Sequence, residues 1–144
     1  VSQRIAVDAH SVQAFRDVET DPHVNVVVYR LADATDSCTV ERRGNLRHEE
    51  LVRALPPDEP RIVAYDLAFA TVDGARRHRV LLISWIPGTV PPRRTVRYLE
   101  GYAAVRAAVD GDPVPIAASR GDDLDYHRLV SLARRRRRDR PGGP

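Results

Sequence analysis

Two long runs of β-forming residues face each other across an Asp-Gly pair, and this feature constrains the fold of the chain more than any other. The runs are RIVAYDLAFATV (61–72) and RVLLISWIP (79–87), and the segment DGARRH lies between them. β-Branched and aromatic residues fit a pleated, half-buried surface. Asp73-Gly74 favours a turn with positive φ, so the pair of runs reads as a hairpin with DGARRH as its connection.

Other elements follow from spacing. Residues 8–19 (DAHSVQAFRDVE) read as a helix, with Val12, Phe15 and Val18 three apart and Asp8 able to cap the start. VNVVVYRL (24–31) reads as a buried strand and SCTVERRG (37–44) as a shorter, half-exposed one. In the second, Cys38 alternates with Val40 as an ordinary strand residue. LRHEELVRAL (46–55) places Leu46, Leu51 and Leu55 near one helical face, and PPDEP ends it because proline removes a donor. A long helix is predicted over 93–109, with Tyr98, Tyr102, Val105 and Val109 as one apolar stripe. Arg93, Arg94, Arg97, Glu100 and Arg106 fall away from that stripe. Gly101 lies mid-helix, at a cost of about 1 kcal/mol against Ala, and suggests a bend. PVPIAAS (113–119) reads as a short edge strand. A last helix is predicted to start near Asp122, with Leu124, Leu129 and Leu132 towards the core. The order is that of an α+β fold: one domain with a central mixed sheet sandwiched by helices on both faces. The domain is expected over 1–135, and 136–144 is expected to form an arginine-rich disordered tail.

Composition restricts the function. With 144 residues, 42% of them hydrophobic, the chain can bury a core without disulfides or metal. No apolar run approaches bilayer length and no signal-peptide pattern opens the chain. All 23 basic residues are Arg, and they are unevenly distributed: residues 134–144 hold six arginines and one aspartate, while the remaining 17 arginines face 19 acids. A uniformly basic nucleic-acid-binding domain would not divide this way, so no specific nucleic acid is expected as a partner. The histidines, His10, His23, His48, His78 and His127, show no HxxxH spacing, and the single cysteine forms no ligand pair. GxGxxG, GxxxxGK[ST] and GxSxG are absent, so no cofactor and no catalysis are expected. Gly121-Asp122-Asp123 can be a cation site or a pair of acids complementing a helix start. Arg134–Arg138 can bind phosphate groups or can finish a helix where cations suit the dipole.

Four ordered segments resemble one family. RIAVDAHSVQAF resembles the N-terminal segment and first helix of ADF/cofilins, and RIVAYDLAF resembles their YAIYDFEY-like strand. LLISWIPGTVPPR is similar to their FFISWAPDTAPVR-like stretch, and YLEGYAAVRAAVDG to their YASSKDALRRALDG-like continuation. The matches run from about Arg4 to Arg135. The resemblance implies a cytoplasmic, cytoskeleton-associated monomer that binds actin or a divergent actin homologue and promotes filament disassembly and severing. Monomer contacts would fall on Gln3, Arg4, Ile5, Arg93, Thr95, Val96, Arg97 and Arg106. Filament contacts would fall on Arg77, Arg79, Ser131, Leu132 and Arg135. Phosphoinositides would meet Arg134, Arg136, Arg137 and Arg138. The family's regulatory serine falls on Gln3, beside Ser2. A basic residue of its long helix falls on Thr95, and an acid-base pair of its last helix on Ser131 and Leu132. Two alternatives are a coactosin- or glia-maturation-factor-like binder that does not sever, and an anion-binding protein acting through its arginine tail.

Overall fold

The Asp8 carboxylate accepts the Ser11 N–H at 2.8 Å and starts the first helix, α1, Ala9–Thr20. These hydrogen bonds hold the Asp8 carboxyl below its ordinary range. The computed structural model describes residues 5–32 and 36–138, the side chains of the last three excepted. Six strands form one sheet: β1 (Ala6–Val7), β2 (Val26–Leu31), β3 (Ser37–Gly44), β4 (Arg61–Ala70), β5 (Arg76–Trp85) and β6 (Val114–Ala118). Their order is β1-β3-β2-β4-β5-β6. The outer pairs β1–β3 and β5–β6 are parallel and the others antiparallel, so the sheet is mixed, as the order of elements predicted.

The central hairpin forms with a displaced turn. β4 stops at Ala70, and the Thr71 N–H donates to the Ala75 carbonyl at 2.8 Å. Gly74 takes φ +87° between them, which glycine tolerates without steric cost. Arg76, Arg77 and His78 therefore belong to β5 and not to the connection, because the turn closes one residue after Gly74.

β4 is buried on both sides, and its alternation divides the core. Val63, Tyr65, Leu67 and Phe69 face one layer with Leu81, Ile83 and Trp85 of β5. That layer is completed by Leu51 of α2 (His48–Ala54), Leu55, and Leu129 and Ala133 of α4 (Tyr126–Arg138). Ile62, Ala64 and Leu82 face the other layer with Phe15 and Val18 of α1 and with Tyr98 and Val105 of α3 (Pro92–Ala108). Polar groups in this second layer are satisfied. The Tyr29 hydroxyl donates to the Ser11 carbonyl at 2.8 Å, and the Ser11 hydroxyl to the Cys38 carbonyl at 3.1 Å. Burial pushes the Cys38 thiol up to about 12.

The predicted last helix is divided. A 3₁₀ turn, Gly121–Leu124, precedes α4, because Asp123 turns back to accept the N–H groups of Ser119 and Arg120 at 2.9 and 3.2 Å. The Gly-Asp-Asp motif is thus occupied in capping. The reading of 136–144 as a disordered tail falls across α4, whose helical backbone continues to Arg138; residues 139–144 lie outside the described residues.

Gly101 serves close packing. A Cβ there would stand 3.0 Å from Leu31 Cδ2 and 3.4 Å from Ile62 Cδ1. On either side of it α3 is tied to the sheet: the Leu31 N–H donates to the Tyr98 hydroxyl at 3.1 Å, and the Tyr102 hydroxyl donates to the Leu82 carbonyl at 2.7 Å. Gly101→Val forces α3 off the sheet and should destabilise the fold by about 1–3 kcal/mol. Urea unfolding of that variant measures this.

Candidate functional site

The helix that packs so closely through one face carries a second apolar stripe on the opposite face. Pro92, Val96, Leu99, Ala103 and Ala107 recur at four, three, four and four residues, and all five are exposed. Val96 is 57% exposed and Leu99 48%, large values for residues that could have been buried. At about 100° per residue this row lies across the helix axis from Tyr98, Gly101 and Val105. Arg93 is exposed beside it, and Thr95 and Arg106 border its other side half-buried. An apolar ridge with cationic margins is suited to a hydrophobic cleft on a partner with acidic edges.

Two arginines of α3 turn inward instead. Arg94 grips Glu59 with two hydrogen bonds of 3.2 and 3.3 Å, and its guanidinium lies 5.9 Å from the centre of the Tyr98 ring. Hydrogen bonding to Arg94 lowers the Glu59 carboxyl. Glu59 also lies 3.8 Å from the buried Arg61, which binds Glu41 at 2.9 Å. Arg97 pairs with Asp36 and, at 3.0 Å, with Glu100. The pairs with Glu59 and Asp36 hold the first turns of α3 to neighbouring loops, so Arg97 is a support of the ridge. Arg106 stands 3.9 Å from Asp112. Ile5, predicted as a contact, is 5% exposed and packs in the core layer beneath α3. It reaches the surface only as the floor of a shallow cleft with Leu31, Asp36, Arg94, Arg97 and Tyr98. The N-terminal segment and the long helix do meet, but there the apolar side chain is used for packing. Gln3 and Arg4 lie outside the described residues.

A second surface forms on the other face of the sheet. Arg77 and Arg79 lie two apart on β5, opposite Phe69 and Leu67, and so share the face on which α4 packs. The Tyr126 hydroxyl donates to the Ala68 carbonyl at 2.6 Å, and Arg134 donates to the Ala70 carbonyl while lying 5.7 Å from the centre of the Phe69 ring. Phe69, Arg76, Arg77, His78 and Tyr126 line a shallow depression there. His78 bonds Asp66 at 3.2 Å, and burial raises the Asp66 carboxyl. Ser131 and Arg135 are exposed on α4, as a contact role needs. Leu132 is not: it is half-buried against the core layer, because it follows the Leu129 side of the helix. Arg134, predicted as an anion ligand, is engaged in fastening α4 to the hairpin. The side chains of Arg136, Arg137 and Arg138 lie outside the description.

Sequence reasoning passed over Leu99, Ala103 and Ala107. The signal was present as a second apolar row offset by half a turn from the first. It was hidden because a helix with apolar residues on two faces reads as simply hydrophobic.

A single mixed sheet with helices on both faces, an exposed apolar ridge on one and a cationic hairpin on the other, is a module for binding a macromolecule. The chain belongs to the ADF/cofilin family: residues 4–134 match the family described as cofilin/tropomyosin-type actin-binding protein, a family of binding proteins and not of enzymes. It is 29% identical over 120 residues to actin-depolymerizing factor 2 of Zea mays, covering 82% of this chain and 86% of that one. Its fold matches the Streptomyces griseoflavus cofilin with a TM-score of 0.82 at 18% identity, over 90% of this chain and 97% of the other. It also matches coactosin from Entamoeba histolytica, with a TM-score of 0.72 at 18% identity, over 91% and 95%.

The division between outward and inward arginines is testable by stability alone. Arg93→Ala should leave the urea midpoint unchanged, since an exposed side chain with no structural role costs little to remove. Arg97→Ala should lower the midpoint slightly, by at most about 1 kcal/mol of stability, because it leaves Asp36 and Glu100 without their shared cation.

Proposed function

We propose that this protein binds actin, or a divergent actin homologue, as monomer and filament, and promotes filament disassembly. The exposed Val96–Leu99 ridge of α3 carries the proposal. It is an apolar contact surface built opposite the helix's own packing face, on the helix that the family resemblance assigns to the actin cleft. Val96 and Leu99 enter the cleft between two subdomains of the actin monomer, and Arg93 and Arg106 pair with acidic groups at its margin. Arg77, Arg79, Ser131 and Arg135 meet the neighbouring subunit in a filament. Because the two surfaces lie on opposite faces of one sheet, a single domain can touch two subunits at once. Bound along a filament, it would favour one arrangement of those subunits, and disassembly would follow as a shift of population. Action in the cytoplasm, on the cytoskeleton, accords with this reading.

A second reading is favoured by two departures from the family pattern. Thr95 and Leu132 stand where the family carries basic residues, which weakens the charge on the monomer surface and leaves filament contact resting mostly on Arg77, Arg79 and Arg135. On that reading the chain binds filament sides without severing, as a coactosin-like domain would. Arg136, Arg137 and Arg138, in the last turn of α4, would each add on the order of 1 kcal/mol to binding at a membrane of anionic headgroups.

Two variants separate the surfaces. Val96→Asp with Leu99→Asp should weaken monomer binding at least about tenfold without unfolding the domain, because a charge is driven into an apolar cleft while the core is untouched. Arg77, Arg79 and Arg135 changed together to Ala should abolish filament co-sedimentation and severing while monomer affinity persists, since distant sites behave nearly additively. Equal loss of both activities in the folded triple-Ala variant contradicts the two-surface assignment. Normal monomer binding by the aspartate variant contradicts the role of α3. Wild-type filaments that are bound but never cut under the microscope favour the coactosin-like reading.

A further inference from the structure

The β4–β5 hairpin runs past its neighbours, and its two edges are treated differently. β2 pairs with β4 only as far as Tyr65, and β6 pairs with β5 only from Leu81 onward. Residues 67–70 and 76–79 therefore form a two-stranded ribbon beyond the sheet. Antiparallel pairing alternates, so every second residue turns its N–H and C=O away from the partner strand. Four bonds set the phase. The Thr71 N–H donates to the Ala75 carbonyl inside the hairpin, and the Asp66 N–H donates outward to the Asn25 carbonyl. The Ala68 and Ala70 carbonyls also point outward and are the groups that Tyr126 and Arg134 of α4 occupy. The β4 edge of the ribbon is thus partly closed by side chains from α4.

The same phase places the N–H and C=O groups of Arg76 and His78 on the β5 edge. The Ile86 N–H, of equal parity, donates to the Ala118 carbonyl of β6 and confirms the direction. β6 begins at Val114, after Pro113, which has no N–H to offer, and among the described residues no strand lies beside Arg76–Arg79 on that side. An open edge normally invites another strand, and charged side chains are the usual guard against it. Here Arg76, Arg77 and His78 are all exposed. Arg76 and His78 project from one face of the ribbon, Arg77 and Arg79 from the other. Like charges repel a second copy of this edge. They attract a chain of opposite charge.

We propose that the Arg76–Arg79 edge of β5 takes up an acidic, extended polypeptide segment as an added strand. The main-chain groups of Arg76 and His78 supply the ladder, and cations on both faces select glutamate and aspartate side chains. The inference rests on reading the hairpin as a contact surface and goes beyond it, because a side-chain contact with a folded partner needs no main-chain pairing.

The probe is a capped octapeptide of four glutamates and four threonines, with the lysine-for-glutamate peptide as control. Amide hydrogen exchange and chemical shifts are followed by NMR on the full chain. On binding the glutamate peptide, the Arg76 and His78 amides should exchange at least about tenfold more slowly. The Arg77 amide, already bonded to β4, should not change. His78→Pro removes one outward donor without touching the β4–β5 ladder and should weaken the peptide at least about fivefold. Changing Arg76, Arg77 and Arg79 to Gln should abolish binding, and the lysine peptide should not bind. Shift changes without slower exchange at Arg76 and His78, or full affinity in His78→Pro with its hairpin signals intact, would overturn strand addition in favour of side-chain attraction. So would equal binding of both peptides, or no binding of either. Filament co-sedimentation is scored on the same samples. Its survival without peptide protection refutes this inference and leaves the proposed function standing.

Discussion

Everything functional about α3 depends on how closely it approaches the sheet. With no side chain at Gly101, the helix settles onto Leu31 and Ile62 at a distance that any Cβ would disturb. The two tyrosines flanking that point complete the seat, because their hydroxyls exchange hydrogen bonds with the backbone of β2 and β5. A helix held this tightly cannot roll, so the direction of its outer face is set by its inner one. The Arg94–Glu59 and Arg97–Asp36 pairs add restraint at the end where the ridge begins. Such half-exposed pairs contribute little to stability individually. Their value lies in fixing the orientation of Val96 and Leu99.

The central hairpin has the corresponding role on the other side. β4 buries side chains on both faces and is the reason that one domain holds two separate core layers. Where β4 and β5 outrun the sheet, α4 crosses them and binds two outer carbonyls of β4 with a tyrosine and an arginine. A two-stranded ribbon alone is marginal in water, so α4 is what makes the hairpin a stable projection. Arg77 and Arg79 are then presented on a rigid support, on the face of the sheet away from the α3 ridge.

Much of this was legible in the residues. Asp8 as a cap, the Tyr98–Val105 stripe and the Asp-Gly reversal each depend on neighbours within a few positions, and each appears as read, whereas the two-residue β1 before α1 was not legible. The structure added what a local signal left open. Gly101, read as a bend because glycine weakens helices, is where α3 meets Leu31, and nothing nearby in sequence reveals Leu31 at the place of its missing side chain. Arg76 to His78 read as turn because they follow Asp-Gly, and only the Thr71–Ala75 bond assigns them to the strand. Ile5 and Leu132 read as contacts by position in the family pattern, whereas their apolar side chains are used in packing.

The sequence by itself determined which segments are helix and strand, which face of each is apolar, and where charge is gathered, because those follow from periodicity and turn chemistry. The tertiary structure decided which arginines face outward. Arg93, Arg94 and Arg97 are indistinguishable as residues within one helix. Arg94 and Arg97 become supports because Glu59 and Asp36, from loops 35 and 61 residues away in the chain, come to lie beneath them. Which edge of the hairpin is closed and which stays open was likewise decided by where α4 and β6 come to rest. That depends on pairing between distant segments, whose energies no local pattern records.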